Sequence, residues 1–474
     1  MTVLAALLFG GCKRYLDVTP QGKIIPETEE DFEALLNNML YAIEEGTDED
    51  ILGCYDRVIL YESISDNLDA NISAGRLTLY AGDVANNFQK GYYEGLYSAI
   101  KDCNLILEHM LEKDSAKARA LCAAAYAIKG VCYYNLIRIY CEPYDAATAS
   151  SLPGIPIVER FDVESDAVPD RNTLARSYEY AVSLFRKAID CHMTDESYLF
   201  TEAVAKTYLA KLYFWAEEWS EVIPLCEELL AVPSYALADR SVYTESIQSY
   251  GERLQEVIIR DRTTGDDDVK TLYDETFQRY LNTRPVNATL LKLFGAEPQK
   301  DVRWSIMCDA KRVNRKTVTA RVRGSELHLM LAESYAHPGA QQDEAKALSL
   351  LNELRRKRIE DVEDYTLRTL PEPDPGALIT VDAAGKPLTP LISAILDERR
   401  KELYMEGDRW FELKRNGCPE WWVIQQSGST LPVKYVVRRY LYTMPVSVRD
   451  IRNSQGKIAQ NPGCLLYTSD AADE

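Results

Sequence analysis

The stretch DERRKELYMEGDRWFELKR, residues 397–415, sets charged residues around one glycine and an adjacent Trp-Phe pair. Wound as a single helix, it places a mainly apolar set on one side: Leu396, Leu403, Gly407, Trp410, Phe411 and Lys414. The other side carries mostly charged residues: Glu398, Lys401, Glu402 and Glu412. We predict that this helix is locked into the core by Trp410, with Gly407 either admitting a neighbouring element or bending the helix.

The arginines of the same stretch predict contacts with other parts of the chain. Arg399, Arg400 and Arg409 are placed to pair with acids on neighbouring elements. The alternative is a catalytic cluster, such as a glycoside hydrolase that uses Glu398 and Glu406. Catalytic carboxylates must face one cleft with no apolar side chain between them. The Trp-Phe pair therefore favours a structural helix.

The composition is that of a globular protein with a polar surface. The chain has 474 residues, of which 46% are hydrophobic, enough for one large core or two ordinary ones. Tyrosine occurs 30 times against 10 phenylalanines, and a tyrosine hydroxyl can stay wet while its ring is buried. The net charge of -20 repels phosphate backbones and anionic lipids. We therefore set nucleic acid aside as a partner.

Cysteine and histidine give no sign of a metal site. The 11 cysteines are scattered without a C-x-x-C pair, and the four histidines lack H-E-x-x-H spacing. We predict no metal and no cofactor, and we expect most cysteines to be small core residues.

Helical periodicity dominates the chain, and strand-like alternation is scarce. Thr28 and Asp31 predict a capped helix start. Residues 203–230 predict a helical hairpin of tetratricopeptide type, in which small residues admit the neighbouring helix. Similar hairpins are predicted at about residues 120–191 and 326–358. The fold class is therefore mostly α, with tetratricopeptide-like hairpins as a scaffold, although three unrelated hairpins remain the alternative.

Loop-rich stretches separate these hairpins and predict an irregular binding half. Residues 141–173 and 361–390 are rich in turn residues, and residues 232–302 mix short strand-like runs with aromatic loops. Long irregular segments in a compact protein usually carry function. We expect the binding site there.

The N-terminus, MTVLAALLFGGC, is typical of a lipoprotein signal. Residues 1–11 are too short to span a bilayer and end in two small residues before Cys12, which predicts a signal peptide and a lipidated Cys12. No basic residue precedes the apolar run, which would fit a truncated start. The alternative is a buried N-terminal helix, but the Gly-Gly pair at residues 10–11 disfavours it.

Four stretches together resemble the SusD/RagB family of Bacteroidetes nutrient-binding lipoproteins. They are YLDVTPQG (residues 15–22), AVPDRNT (167–173), the stretch at 397–415 and QNPG (460–463). The resemblance covers residues 12–463 as one domain, and it sets residues 464–474 apart as a non-native tail. It implies four tetratricopeptide-like hairpins, a lipid anchor on Cys12 and exposure at the outer-membrane surface. It also implies a SusC-like TonB-dependent transporter as partner, an oligosaccharide or peptide ligand, and no catalysis.

Sugar recognition needs aromatic faces flanked by polar side chains. Two stretches fit that chemistry, and the candidate ligand-binding residues are Asp66, Asn67 and Tyr80 in the first and Tyr273, Arg279 and Tyr280 in the second. Two functions compete with oligosaccharide capture. One is a RagB-like peptide-binding lipoprotein, and the other is a tetratricopeptide-type adaptor that binds protein.

Overall fold

The computed structural model describes residues 26–45, 50–53, 55–69, 92–160, 170–248, 255–259, 284–318, 322–425, 433–446 and 448–461. The first helices are α1 (Glu29–Glu45), α2 (Tyr55–Ile64), α3 (Tyr92–Met110), α4 (Ala116–Tyr140), α5 (Leu174–Asp190), α6 (Glu202–Trp215), α7 (Trp219–Leu230) and α8 (Arg240–Gln248). Those that follow are α9 (Ala288–Lys292), α10 (Trp304–Met307), α11 (Gly324–Ala336), α12 (Glu344–Arg358), α13 (Pro390–Glu402), α14 (Arg409–Arg415) and α15 (Val448–Asn453).

Strands are few among the described residues and form three antiparallel pairs. The strands are β1 (Pro153–Pro156), β2 (Arg171–Thr173), β3 (Val257–Ile259), β4 (Val322–Arg323), β5 (Trp421–Gln425) and β6 (Val433–Val437). They pair as β1 with β2, β3 with β4 and β5 with β6. The predicted mostly α fold is therefore confirmed.

The scaffold is a continuous stack of helices, each packed on the next. Helix α4 packs on α5, α6 on α7 and α11 on α12, which are the three predicted hairpins, and α7 packs on α11 to join the stack. Small residues admit close neighbours as expected. A Cβ at Gly130 would lie 2.6 Å from the ring of Phe185, so α4 and α5 could not approach as closely with any larger residue there.

Side-chain caps define where several scaffold helices begin. Thr28 and Asp31 exchange hydrogen bonds at the start of α1, as the sequence predicts. The hydroxyls of Thr173 and Thr201 accept hydrogen bonds from backbone N–H groups at the starts of α5 and α6. Each cap satisfies a donor that the first turn leaves without a helical partner.

One helix of the described chain, Ala116–Tyr140, is long and apolar enough to cross a membrane by length and composition, but 89% of its most apolar window is buried inside the protein. Its apolar character is explained by its place at the centre of the helix stack.

The stretch at residues 397–415 is not one helix, so that prediction is wrong. Helix α13 ends at Glu402, and α14 begins at Arg409. Between them the backbone takes positive φ values, 60° at Met405 and 74° at Gly407, which no right-handed helix contains. Two sets of hydrogen bonds stabilise the turn between the two helices. The Gly407 N–H donates to Glu62 at 3.0 Å, and Arg399 donates two hydrogen bonds of 2.9 Å to Asp408.

The charged side of this stretch is buried in a network of ion pairs. Glu402 is fully buried and pairs with Arg303, Arg323 and Arg358, which come from three different segments. The acids on the polar side of the predicted helix therefore face a second layer of the core, not solvent. The predicted pairing of the motif's arginines with acids on other elements is confirmed, because Arg400 and Arg409 bind Asp66 at 3.0 and 2.7 Å and Arg399 lies 3.5 Å from Glu326.

Two of the family-like stretches meet in space. Arg171, from AVPDRNT, donates to the carbonyl of Ala459 at 2.9 Å and to the side chain of Asn461, from QNPG. Asn461 in turn donates to the carbonyls of Tyr140 at 2.9 Å and Met444 at 2.6 Å. The C-terminal segment is thereby fastened to the end of α4.

Candidate functional site

A cavity of about 620 Å³ lies beside the motif helices, outside the helix stack. Its wall is assembled from the end of α2, the segment around α9, the loop before α13, α13 and α14 themselves, and the β5–β6 hairpin. Its polar and aromatic lining consists of Ser63, Ser65, Asp66, Asp69, Arg284, Asn287, Thr289, Arg312, Asp374, Ser393, Asp397, Arg400, Arg409, Trp421 and Trp422. A volume of this size is typical of a small-molecule site.

The β5–β6 hairpin contributes two tryptophan residues to the cavity wall. Trp421 and Trp422 both line it, and Trp422 is 63% exposed. The hairpin is held in register by pairs from Trp421 with Val437 to Gln425 with Val433. A large aromatic ring left in solvent at the edge of a cavity has no packing role there, so it is available to a ligand. Sugars and aromatic ligands stack on such faces.

Asp66 is a buried carboxylate whose charge is neutralised by the motif. Arg409 binds it with two hydrogen bonds of 2.7 and 2.9 Å, and Arg400 lies 3.0 Å from its second oxygen. Burial acts to raise the pKa of Asp66, but the two guanidinium groups outweigh it and lower the pKa to about 2. Asp66 is therefore ionised at any physiological pH.

Asp397 lines the same cavity in a different electrostatic state. No hydrogen bond or ion pair joins its carboxylate to another group in the described part of the chain. Burial raises its pKa to about 6, only partly opposed by Lys401. The nearest cations serve other acids, since Lys401 binds Glu398 at 2.7 Å and Arg409 binds Asp66. Asp397 is thus a half-buried acceptor in the cavity wall that no described group binds.

The remaining polar wall is held by local contacts. Arg312 pairs with Asp69 at 2.6 Å, and both side chains stay about a third exposed. Asn287 caps α9, because its side chain accepts from the Thr289 N–H at 2.7 Å. Arg284 donates to the carbonyls of Asp69 and Ser63 at 2.6 and 2.8 Å, which fixes the segment that leads from α2. Fixed polar groups of this kind orient a ligand without having to move.

The sequence-predicted site residues divide into two groups. Asp66 lies in the cavity wall, whereas Asn67 is fully buried behind it, donating to Glu62 at 2.8 Å and accepting from Arg400 at 3.0 Å. The geometry therefore gives Asn67 a positioning role for Arg400 and no face on the cavity. Tyr80, Tyr273, Arg279, Tyr280 and Cys12 lie outside the described residues, so their roles stay predictions.

Sequence reasoning missed three residues that the structure places at this cavity. They are Trp421, Trp422 and Asp397. The two tryptophans could have been noticed in the sequence. Successive side chains on a strand point to opposite faces, so a Trp-Trp pair on a two-stranded hairpin leaves one ring in solvent. Asp397 carried no such signal. Its neighbours in the motif are scaffold, and only the fold shows that it faces away from them.

The carboxylates of the hydrolase hypothesis, Glu398 and Glu406, do not share this cavity. Glu398 is bound by Arg303 and Lys401 at 2.7 Å each, and Glu406 by Lys316 at 2.6 Å and Arg323 at 2.8 Å. Burial opposes ionisation of both, but these cations dominate and lower the pKa of Glu398 to about 2 and that of Glu406 below its usual range. A general acid needs a raised pKa, so neither carboxylate fits that role.

Metal ligation finds no support in the described part of the chain, where no group of three or more His, Cys, Asp or Glu side chains is placed to hold an ion. A stack of helical hairpins with an aromatic and polar cavity to one side places the protein in the helical-repeat class, with that cavity as its candidate binding site.

Comparison with known proteins identifies the family. Residues 14–214 match a family described as starch-binding, associating with the outer membrane, and residues 303–463 match the SusD family. The chain belongs to the SusD/RagB family of carbohydrate-binding proteins associated with the outer membrane. Comparison with curated proteins gave no significant match.

Solved structures show the same fold along almost the whole chain. A SusD superfamily protein from Bacteroides vulgatus is 20% identical with a TM-score of 0.67, covering 93% of this chain and 100% of its own. A SusD-like carbohydrate binding protein from the same species is 16% identical with a TM-score of 0.64, covering 91% and 97%. A laminarin binding SusD-like protein is 16% identical with a TM-score of 0.59, covering 93% and 100%. At these identities the similarity concerns the fold.

Proposed function

We propose that this protein is a cell-surface lipoprotein that captures an oligosaccharide in the 620 Å³ cavity and delivers it to a SusC-like TonB-dependent transporter. Cys12 would carry the lipid anchor in the outer membrane. Family membership supports both the ligand class and the membrane association. No catalytic step is proposed.

The observation that carries the proposal is the exposed ring of Trp422 beside fixed polar groups at the cavity. Sugar rings present an apolar face and a rim of hydroxyls, so recognition needs an aromatic platform and hydrogen-bonding groups around it. Trp422 offers the platform, and Asn287, Thr289 and Arg312 lie in the same wall. A peptide ligand needs no such platform, which makes it the second choice.

The direct test is calorimetric titration of the protein with neutral oligosaccharides, including laminari- and malto-oligosaccharides, alongside a peptide panel. We expect binding to at least one oligosaccharide. We also expect Trp422→Ala to weaken it by roughly tenfold or more, because a stacked indole contributes about 1.5–3 kcal/mol. Tyr41→Ala is the matched control, since Tyr41 is 60% exposed on α1 and lies outside the cavity. Binding of peptides alone would make this a RagB-like peptide receptor instead.

The partner and the anchor are tested in membranes. Full-length protein should sediment with outer membranes and co-purify with a TonB-dependent transporter, and Cys12→Ala should release it into the soluble fraction. The tetratricopeptide-type adaptor hypothesis predicts other protein partners and no transporter. Recovery of the wild-type protein in the soluble fraction would contradict the anchor.

A further inference from the structure

Asp397 stands apart from every other acid around it. Asp66 is bound by two arginines, Glu398 by Arg303 and Lys401, and Glu402 by three arginines. Asp397 lies on the same helix as Glu398 and Glu402, yet no group in the described part of the chain donates to its carboxylate. The carboxylate is half-buried, so its acceptor oxygens stay within reach of solvent or of a bound molecule. Its position in the wall of the cavity means that a bound molecule can supply the donors.

The charges of the cavity wall restrict which kinds of ligand can bind there. Among the described residues, four arginines line it (Arg284, Arg312, Arg400 and Arg409) against four aspartates (Asp66, Asp69, Asp374 and Asp397). Arg312, Arg400 and Arg409 already bind carboxylates of the protein, and Arg284 donates to the backbone carbonyls of Asp69 and Ser63. An anionic sugar would therefore find its cations occupied and would lie against an uncompensated acid, which costs several-fold in affinity or more. A neutral sugar meets no such penalty.

We propose that Asp397 is a specificity-determining residue of this cavity, accepting hydrogen bonds from two neighbouring hydroxyl groups of a neutral sugar ring and thereby disfavouring uronic-acid or sulfated glycans. A carboxylate has two acceptor oxygens and can bind two adjacent donors at once. The inference rests on the proposed oligosaccharide binding and adds to it the residue that selects the ligand.

The ionisation of Asp397 gives the proposal a second readout. Hydroxyl donors bind the carboxylate better than the acid, so affinity should be full above pH 7 and fall as the pH drops through about 6, the pKa of this group. The charged groups around it are Lys401, Glu398, Arg400 and Arg409. Arginine and lysine keep their charge in this range, and the lowered pKa of Glu398, about 2, keeps that acid ionised.

The experiment compares wild-type protein, Asp397→Asn and the control Asp190→Asn by calorimetry between pH 5 and 8. The probes are neutral laminari- and malto-oligosaccharides and, as anionic counterparts, oligogalacturonates. We expect Asp397→Asn to bind the neutral probe roughly ten- to a hundredfold more weakly at pH 7.5 and to lose the pH dependence, while Asp190→Asn behaves as wild type. Thermal unfolding of each variant shows that the fold is intact.

Three results would contradict the inference in separable ways. Wild-type protein that binds no oligosaccharide overturns the proposed function together with this inference. Wild-type protein that binds while Asp397→Asn binds equally well, with the same pH profile, overturns only the role of Asp397. Tighter binding of oligogalacturonate than of any neutral probe overturns the ligand class.

Discussion

At the scale of single residues, Asp66 and Asp397 show how one cavity wall holds two acids in opposite states. Asp66 is buried and Asp397 is half-buried, and in each case the partial loss of water disfavours the charged form. Asp66 forms ion pairs with Arg400 and Arg409, which keep its carboxylate charged. Asp397 has no such partner among the described residues, and its pKa is about 6. The difference comes from the placement of two side chains and not from residue type.

Asp397→Asn should therefore stabilise the protein at neutral pH while it weakens ligand binding. The folded-state pKa of about 6 lies above the usual value of 3.8. Ionisation thus penalises the folded state, with no penalty below about pH 4 and the full penalty above about pH 7. The variant should gain up to roughly 3 kcal/mol at pH 7.5 and nothing at pH 4, as urea unfolding at the two pH values would show. A gain of equal size at pH 4 would mean that packing, not charge, is the cause.

Trp410 and Trp422 form a second contrast, between a core indole and a site indole. Trp410 is 1% exposed and stacks on Tyr442 with ring centres 4.4 Å apart. Trp410→Ala should lower the free energy of unfolding by roughly 3–5 kcal/mol. Trp422→Ala should leave stability nearly unchanged, because that ring is already 63% exposed. A Trp410→Ala protein with normal stability and lost binding would reverse the two assignments.

At the scale of elements, the helices and their pairing could be predicted because periodicity and caps are local signals. The break between α13 and α14 could not, since it depends on Glu62, more than 300 positions earlier in the chain, accepting from the Gly407 N–H. The buried ion pairs also depend on residues that are distant in the sequence. Which arginine meets Glu402 is decided by the packing of α10, β4 and α12, not by the spacing within 397–415.

Glu402→Gln should be among the most destabilising single changes on α13. It removes the acid shared by Arg303, Arg323 and Arg358 and leaves buried positive charge under-compensated. The expected loss is roughly 3–5 kcal/mol, measured by urea unfolding at pH 7.5. Glu360→Gln is the control, because Glu360 pairs with Arg240 on the surface, and it should change stability by less than about 1 kcal/mol. Equal effects would show that the network contributes no more than a surface pair.

Gly407→Ala tests the turn between the two motif helices. Its φ of 74° is strained for any residue with a Cβ, and the added methyl would touch Val58 Cα at an ordinary 3.5 Å. We expect a loss of roughly 1–2 kcal/mol, almost all of it from the backbone. Gly385→Ala has nearly the same φ, 73°, with nothing within 4 Å, so it should cost about the same in thermal unfolding. A much larger loss at Gly407 would point to disturbed packing against α2.

At the scale of the whole molecule, the stack of hairpins could be predicted from the sequence. For the cavity, only some of the segments that line it could be predicted. The irregular segments 141–173, 232–302 and 361–390 were expected to carry the site. Residues 284–293 and the loop before α13 do line the cavity, whereas no described residue of 141–173 does. Its other walls come from α2, α13 and the β5–β6 hairpin, which converge only after folding. Charge, aromatic content and periodicity are properties of the chain, whereas a cavity is a property of distances between its distant parts.

A ligand that fills this cavity should stabilise the molecule as a whole, because it binds the folded chain and contacts elements from α2 to β6. At a free concentration one hundred times the dissociation constant, the gain is about 2.7 kcal/mol. Thermal unfolding with and without the bound oligosaccharide measures it. Trp422→Ala should show a smaller shift at the same concentration, and an unchanged shift would place the ligand elsewhere.

The shared carboxylate of Glu402 also has a consequence for the order of events during biosynthesis. Arg303, Arg323 and Arg358 all leave the ribosome before residue 402 does. Until α13 arrives, the three guanidinium groups have only Asp301 and Glu256 as buried counterions among the described residues, so closing the middle of the chain would enclose under-compensated positive charge. Maturation should therefore be late and concerted, and a chain cut short before α13 would remain open to proteases however much of its length it had kept.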